Sequence, residues 1–223
     1  SRRTLALRLR LKAARLSGRH DLALDTARLL AKHGAFSPTA SDSLLRSLIL
    51  ARLDQCHDSA QLTQTWATLD RAERLMPDIA LHAARRLLQL TGSARVALSW
   101  LLPLWTSWGD RTLALDERQQ LQLIDVLEQA LQADEPQADW LARAEQARLS
   151  QPHHMGLLYL YGRVCMRHSL WGKAQQMLER CAPQLTQPGL QRKAWCALAE
   201  LAQQRGDEAA ATQAWRRAAL TET

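Results

Sequence analysis

Apolar residues recur at three- and four-residue intervals along nearly the whole chain, and short polar, glycine or proline stretches interrupt them every ~15 to 20 residues. The interruptions fall at Gly18, Gly34 to Ser41, Cys56 to Ser59, Pro77, Gly92, Gly109 to Thr112, Glu135 and Pro136, Ser150 to Pro152, Ser169, Pro183 to Gly189, and Gly206. Cutting there predicts twelve helices, paired into six antiparallel hairpins over about 3–34, 41–76, 79–108, 114–149, 152–183 and 188–220. Asp78, Ser93, Ser169 and Asp207 each stand where a side chain can cap free backbone N–H groups at a helix start. Pro103 lies inside a helical run and predicts a kink or an end there.

Two of the hairpins repeat one pattern. Leu158, Tyr161, Gly162, Ala174, Leu178 and Cys181 occupy the same relative positions as Trp195, Leu198, Ala199, Ala211, Trp215 and Ala218. Small residues at Gly162 and Ala174 let two helices of a hairpin approach, and large ones at Leu158 and Leu178 fill the space between hairpins. Gly18 with Ala23, Gly92 with Ala97, and Gly206 with Ala211 share a second offset, a turn glycine followed five residues later by a crossing alanine. The hairpin from Asp116 to Leu149 lacks a turn glycine and departs most. These offsets resemble those of the tetratricopeptide repeat. The resemblance implies an all-α chain forming a single α-solenoid domain, a right-handed superhelix of about six hairpins.

Composition agrees with a helical reading: 47% of residues are hydrophobic, and β-branched residues are few. The net charge of +7 comes almost wholly from arginine, since the lysines are only Lys12, Lys32, Lys173 and Lys193. Such a balance suits an acidic protein, anionic headgroups or nucleic acid, or reflects arginine on solvated helix faces. Cys56, Cys165, Cys181 and Cys196 form no paired spacing, which points to free buried thiols in a reducing compartment rather than a disulfide framework or a zinc cluster. There is no run of ~18 apolar residues and no signal peptide, so the chain as given reads as soluble.

A closer resemblance rests on Leu30 to Phe36, Trp66 through Pro77 to Ala84, Trp105 to Asp110, and above all Leu157 to Glu179 with its Leu170-Trp-Gly-Lys-Ala174 string. In these segments the chain is similar to the C-terminal part of the HemY family, bacterial proteins associated with haem biosynthesis. The resemblance implies an N-terminal inner-membrane anchor and further repeats preceding this segment, with this domain facing the cytoplasm near late haem-pathway enzymes. It supplies no catalytic residue.

Cys56 beside His57, His153 beside His154, and Cys165 three residues before His168 are candidate haem or metal ligands, although Cys165 also occupies a packing position. No Gly-x-Ser-x-Gly, phosphate-cradling glycine loop or His-Glu-x-x-His is present, so an enzyme is not expected. Carboxylates are expected to pair along helix surfaces, as Asp70 with Arg74. Eight tryptophans stand against one phenylalanine, and Trp105 with Trp108 are the first candidates to line a groove.

Projected onto the repeat, the concave face carries Arg8, Lys12, Arg15, His82, Arg86, Gln89, Tyr159, Arg163, Arg167, Glu200 and Gln204, a largely positive groove. Guanidinium forks suit carboxylates. The expected function is a non-catalytic scaffold holding an acidic protein partner, with direct porphyrin or haem binding as the alternative. Nucleic-acid binding ranks third, because no base-reading pair recurs at fixed repeat positions.

Overall fold

A computed structural model describes residues 2–221. Among them no strand is formed, and the helices pack in sequence order. They are α1 (Arg2–Leu16), α2 (His20–Lys32), α3 (Pro38–Asp54), α4 (Ser59–Ala67), α5 (Arg71–Arg74), α6 (Pro77–Gln89), α7 (Ala94–Gly109), α8 (Glu117–Ala133), α9 (Ala138–Ser150), α10 (Met155–Arg167), α11 (Trp171–Cys181), α12 (Pro188–Gln204) and α13 (Glu208–Leu220). The chain divides into two compact units, Ser1–Leu104 and Trp105–Thr223. No helix among the described residues is long and apolar enough to cross a membrane.

In the first unit α1 packs on α2, α2 on α3, and α3 on α6. The turn after α1 is made at Gly18 and the turn after α2 at Gly34, with φ of 67° and 62°. A side chain resists that left-handed conformation, so glycine ends both helices cleanly. Ala23, five residues past Gly18, is fully buried, as are Ala97 and Ala211 at the equivalent places.

Among the described residues thirteen helices stand where twelve are predicted, because the second hairpin closes with α4 and the single turn α5. Asp70 accepts the Glu73 N–H at 2.8 Å while the Glu73 carboxylate accepts the Asp70 N–H at 3.0 Å, a reciprocal cap that starts a new helix. Asp70 is therefore not the partner of Arg74, which instead donates to the Trp66 and Ala67 carbonyls and lies over the Trp66 ring. Glu73 is buried and held by Arg28 of α2 through two parallel bonds of 2.8 and 2.7 Å.

Two further expectations are corrected locally. Of the kink or end expected at Pro103 the end does not occur, since helix α7 runs on through it. Proline lacks the N–H that the Ser99 carbonyl would accept, but Ser99 is exposed and water can serve it. Ser169 takes φ of 57° in the turn after α10 and does not cap α11, and Asp78 follows Pro77 in the first turn of α6 without capping it. Ser93 and Asp207 do accept N–H groups, from Val96 and Ala210.

In the second unit α10 is central, contacting α8, α9, α11 and α12, and α12 packs on α13. Leu158, Tyr161, Gly162, Ala174, Leu178 and Cys181 are all buried, as are Leu198, Ala199, Ala211 and Ala218. A Cβ on Gly162 would sit 2.9 Å from Leu178 Cγ, so the missing side chain is what permits this α10/α11 approach. The pattern fails at its last bulky positions. Trp215 is 38% exposed and Trp195 is half-buried, whereas Leu178 is sealed, since no helix follows α13 among the described residues.

Candidate functional site

Most of the expected groove cations are not available to a partner. On α6, His82 Nε2 lies 2.7 Å from Asp54 Oδ1, and Arg86 donates to the Cys56 carbonyl at 3.0 Å, both at the C-terminal end of α3. On α10, Arg163 Nε donates to Glu128 Oε1 at 2.9 Å, and Arg167 donates to the Asp134 carbonyl just past the end of α8. In each unit a pair of nitrogen-bearing side chains four residues apart, His82 with Arg86 and Arg163 with Arg167, thus reaches back to an earlier helix, α3 or α8, toward its C-terminal part. They fasten α6 to α3 and α10 to α8, and the reading of a largely positive groove is corrected at these four positions.

Tyr159 is a second correction. It is fully buried, its hydroxyl has no hydrogen-bond partner, and burial pushes the phenol's pKa up. Burial also opposes the Arg163 charge, but Glu128, together with Tyr159 and Glu200, outweighs it and holds the guanidinium's pKa above its ordinary value. Lys193 of α12 joins the same network, 2.6 Å from Asp125 Oδ1 and 3.7 Å from Glu128 Oε2. Glu200 lies 4.0 Å from Arg163 Nη1. Gln89, Gln204 and Glu200 are exposed.

Two of the candidate haem ligands, His154 and Cys56, have hydrogen-bond partners of their own. His154 caps α10: its Nδ1 accepts the Leu157 N–H at 3.2 Å, and its Nε2 donates to Gln120 Oε1 at 2.9 Å. Cys56 is buried against the Thr65 hydroxyl, and burial raises the Cys165 thiol. His168 ends α10. No cluster of three or more His, Cys, Asp or Glu suited to a metal ion occurs among the described residues.

The neutral His154 ring has a consequence for stability. Burial lowers its pKa below the ordinary 6.5, with the Trp108 edge packed at 5.7 Å. Between that lowered value and 6.5 the unfolded chain binds the proton and the folded chain does not, so this stabilisation is present above 6.5 and is lost as pH falls. Thermal melts of His154→Asn, which keeps a capping side chain without a titrating ring, are expected to show a shallower fall in Tm between pH 7 and 5 than the parent. Parallel pH profiles would refute this assignment.

Trp105 and Trp108 pack edge-to-face at 5.7 Å, Trp105 meets Trp140 at 5.8 Å, and all three are nearly buried. Trp105 and Trp108 do border a cleft of about 260 Å³ with Arg143, Gln146 and Gln151. Trp66 and Trp100 stack at 4.6 Å in the first unit and serve packing.

What remains of the expected groove is α1. Arg8, Lys12 and Arg15 rim one hollow of about 480 Å³ floored by Leu11, Leu16 and Phe36. Arg8 is fixed there by donating to the Ala35 carbonyl at 2.8 Å and by lying over the Phe36 ring at 5.2 Å. Lys12 and Arg15 form no ion pair with a described carboxylate. Nothing acidic precedes Asp21 in the sequence. Phe36, absent from the sequence-based groove, was recoverable only as the sole phenylalanine, in the turn that faces α1. No known family model matches the chain, and comparison with curated proteins finds no match.

Proposed function

We propose that the protein is a non-catalytic helical-repeat scaffold that recruits an acidic protein partner through α1. The observation that carries this reading is the α1 hollow, where three cations converge on an apolar floor and none of them forms an ion pair with a described carboxylate. Clustered cations of this kind create a positive field that steers acidic partners. Late haem biosynthesis at the bacterial inner membrane, through an anchor outside this segment, is the setting proposed from the family resemblance.

Fluorescently labelled poly-L-glutamate is expected to bind, more weakly as salt rises, and the triple variant R8E/K12E/R15E to bind at least about tenfold more weakly with unchanged helicity. Equal binding by parent and variant would move the site away from α1. The haem setting has its own test: loss of the intact gene should make cells accumulate a late porphyrin precursor, and an unchanged porphyrin profile would remove that setting while leaving the scaffold.

A further inference from the structure

The cleft bordered by Trp105 and Trp108 lies wholly within the second unit, between the end of α7 and the C-terminal half of α9. Its aromatic wall is already packed: Trp105 meets Trp108 and Trp140 edge-to-face, and Trp108 meets His154. With the two tryptophans only 7% and 9% exposed, the polar groups set what the cleft can hold.

Those groups carry both charges. The Asp110 carboxylate forms no hydrogen bond or ion pair with a described residue. Arg143 lies over the Trp140 ring at 5.4 Å, and no described carboxylate, Asp110 included, pairs with it. The side-chain amides of Gln146 and Gln151 likewise have no hydrogen-bond partner among the described residues. Helices α7 and α9 both end at the cleft, at Gly109 and Ser150, and the negative ends of helices favour a cation there.

We propose that this cleft binds a small zwitterion with an amide between its charges, the chemistry of a dipeptide. The ligand carboxylate lies against Arg143, its ammonium against Asp110 and the helix ends, and its peptide group against the Gln146 and Gln151 amides. The site is separate from α1 and stands whether or not α1 binds an acidic partner.

Charge and length select this ligand over simpler ones. A lone anion at Arg143 would leave Asp110 facing it, and a lone cation at Asp110 would face the Arg143 guanidinium. A zwitterion satisfies both with one molecule. Arg143 and Ser150 stand about 10 Å apart along α9, and an extended dipeptide spans about 7 Å, which contact distances at its two ends bring up to that reach. A single amino acid, with its charges on one carbon, is too short to meet both.

The test is isothermal titration calorimetry of the whole chain with glycylglycine, N-acetylglycine, glycinamide and glycine. N-acetylglycine lacks the ammonium, glycinamide lacks the carboxylate, and glycine keeps both without the length. Glycylglycine should bind at least about fivefold more tightly than each of the others. Asp110→Asn, at an exposed position, should erase its advantage over N-acetylglycine and keep that over glycinamide. Arg143→Gln should do the reverse, and Arg143→Lys should retain the parent's preferences, which separates lost charge from lost packing on Trp140.

Equal affinity for glycylglycine, N-acetylglycine and glycinamide overturns the paired charges. Glycine binding as tightly as glycylglycine overturns the dipeptide length. No heat from glycylglycine at about 10 mM, or preferences that neither Asp110→Asn nor Arg143→Gln changes, overturns the site itself.

Discussion

Arg163→Ala is expected to destabilise the second unit by about 3 kcal/mol, lowering its melting temperature by roughly 10 °C or more. The reason lies in what the substitution leaves behind. Glu128 is buried on α8, and its Oε1 accepts from Arg163 at 2.9 Å, while Lys193 stands farther off at 3.7 Å from Oε2. Without the guanidinium a buried carboxylate keeps its charge with one distant cation, or takes up a proton at a cost in free energy. Arg163→Ala with Glu128→Gln should therefore recover most of the loss, and Arg163→Met with Glu128→Leu should come near the parent, because replacing both members removes the desolvation penalty as well as the attraction. Calorimetry on the four chains decides it. A single variant that melts with the parent would show Arg163 to be the free groove cation that its position in the repeat suggests.

That contrast measures how far the chain could be read without coordinates. Helix positions follow from periodicity and from turn residues, because those signals are local: Gly18, Gly34 and Gly206 end their helices at positive φ, and Asp207 caps the helix after it. The split of α4 from α5 was written in Asp70 and Glu73, three residues apart, yet the same residues also read as a solvated helix face. Charge pairing was the least legible feature. His82 meets Asp54, Arg86 the Cys56 carbonyl, Arg163 Glu128 and Arg167 the Asp134 carbonyl, over separations of 28, 30, 35 and 33 residues. Each partner lies about one repeat upstream. Counting cations on a concave face finds charge without showing whether it is free. The useful signal is an acid or a helix end about 30 residues earlier.

The repeat spacing itself is best tested where the two helices of a hairpin come closest, and Ala174→Trp is expected to cost about 3 kcal/mol or more. Ala174 is fully buried in α11 beneath α10, so an indole there has no outlet and must push the pair apart. Gly162 of α10, which packs on α11 against Leu178, adds a finer probe. In an exposed helix Gly→Ala gains about 1 kcal/mol from backbone entropy. Here the new Cβ would lie 2.9 Å from Leu178 Cγ and 3.4 Å from Met177 Cβ, and Leu178 is itself sealed on all sides. Overpacking should outweigh propensity, making Gly162→Ala destabilising and Gly162→Val more so. The exposed Ala219→Trp on α13 should stay within about 0.5 kcal/mol of the parent, since its side chain meets solvent. A stabilising Gly162→Ala would mean that α10 and α11 separate easily and that the small residues at 162 and 174 reflect helix propensity alone. Loss at both, with Ala219 silent, would tie the repeated small-residue spacing to close contact between helices.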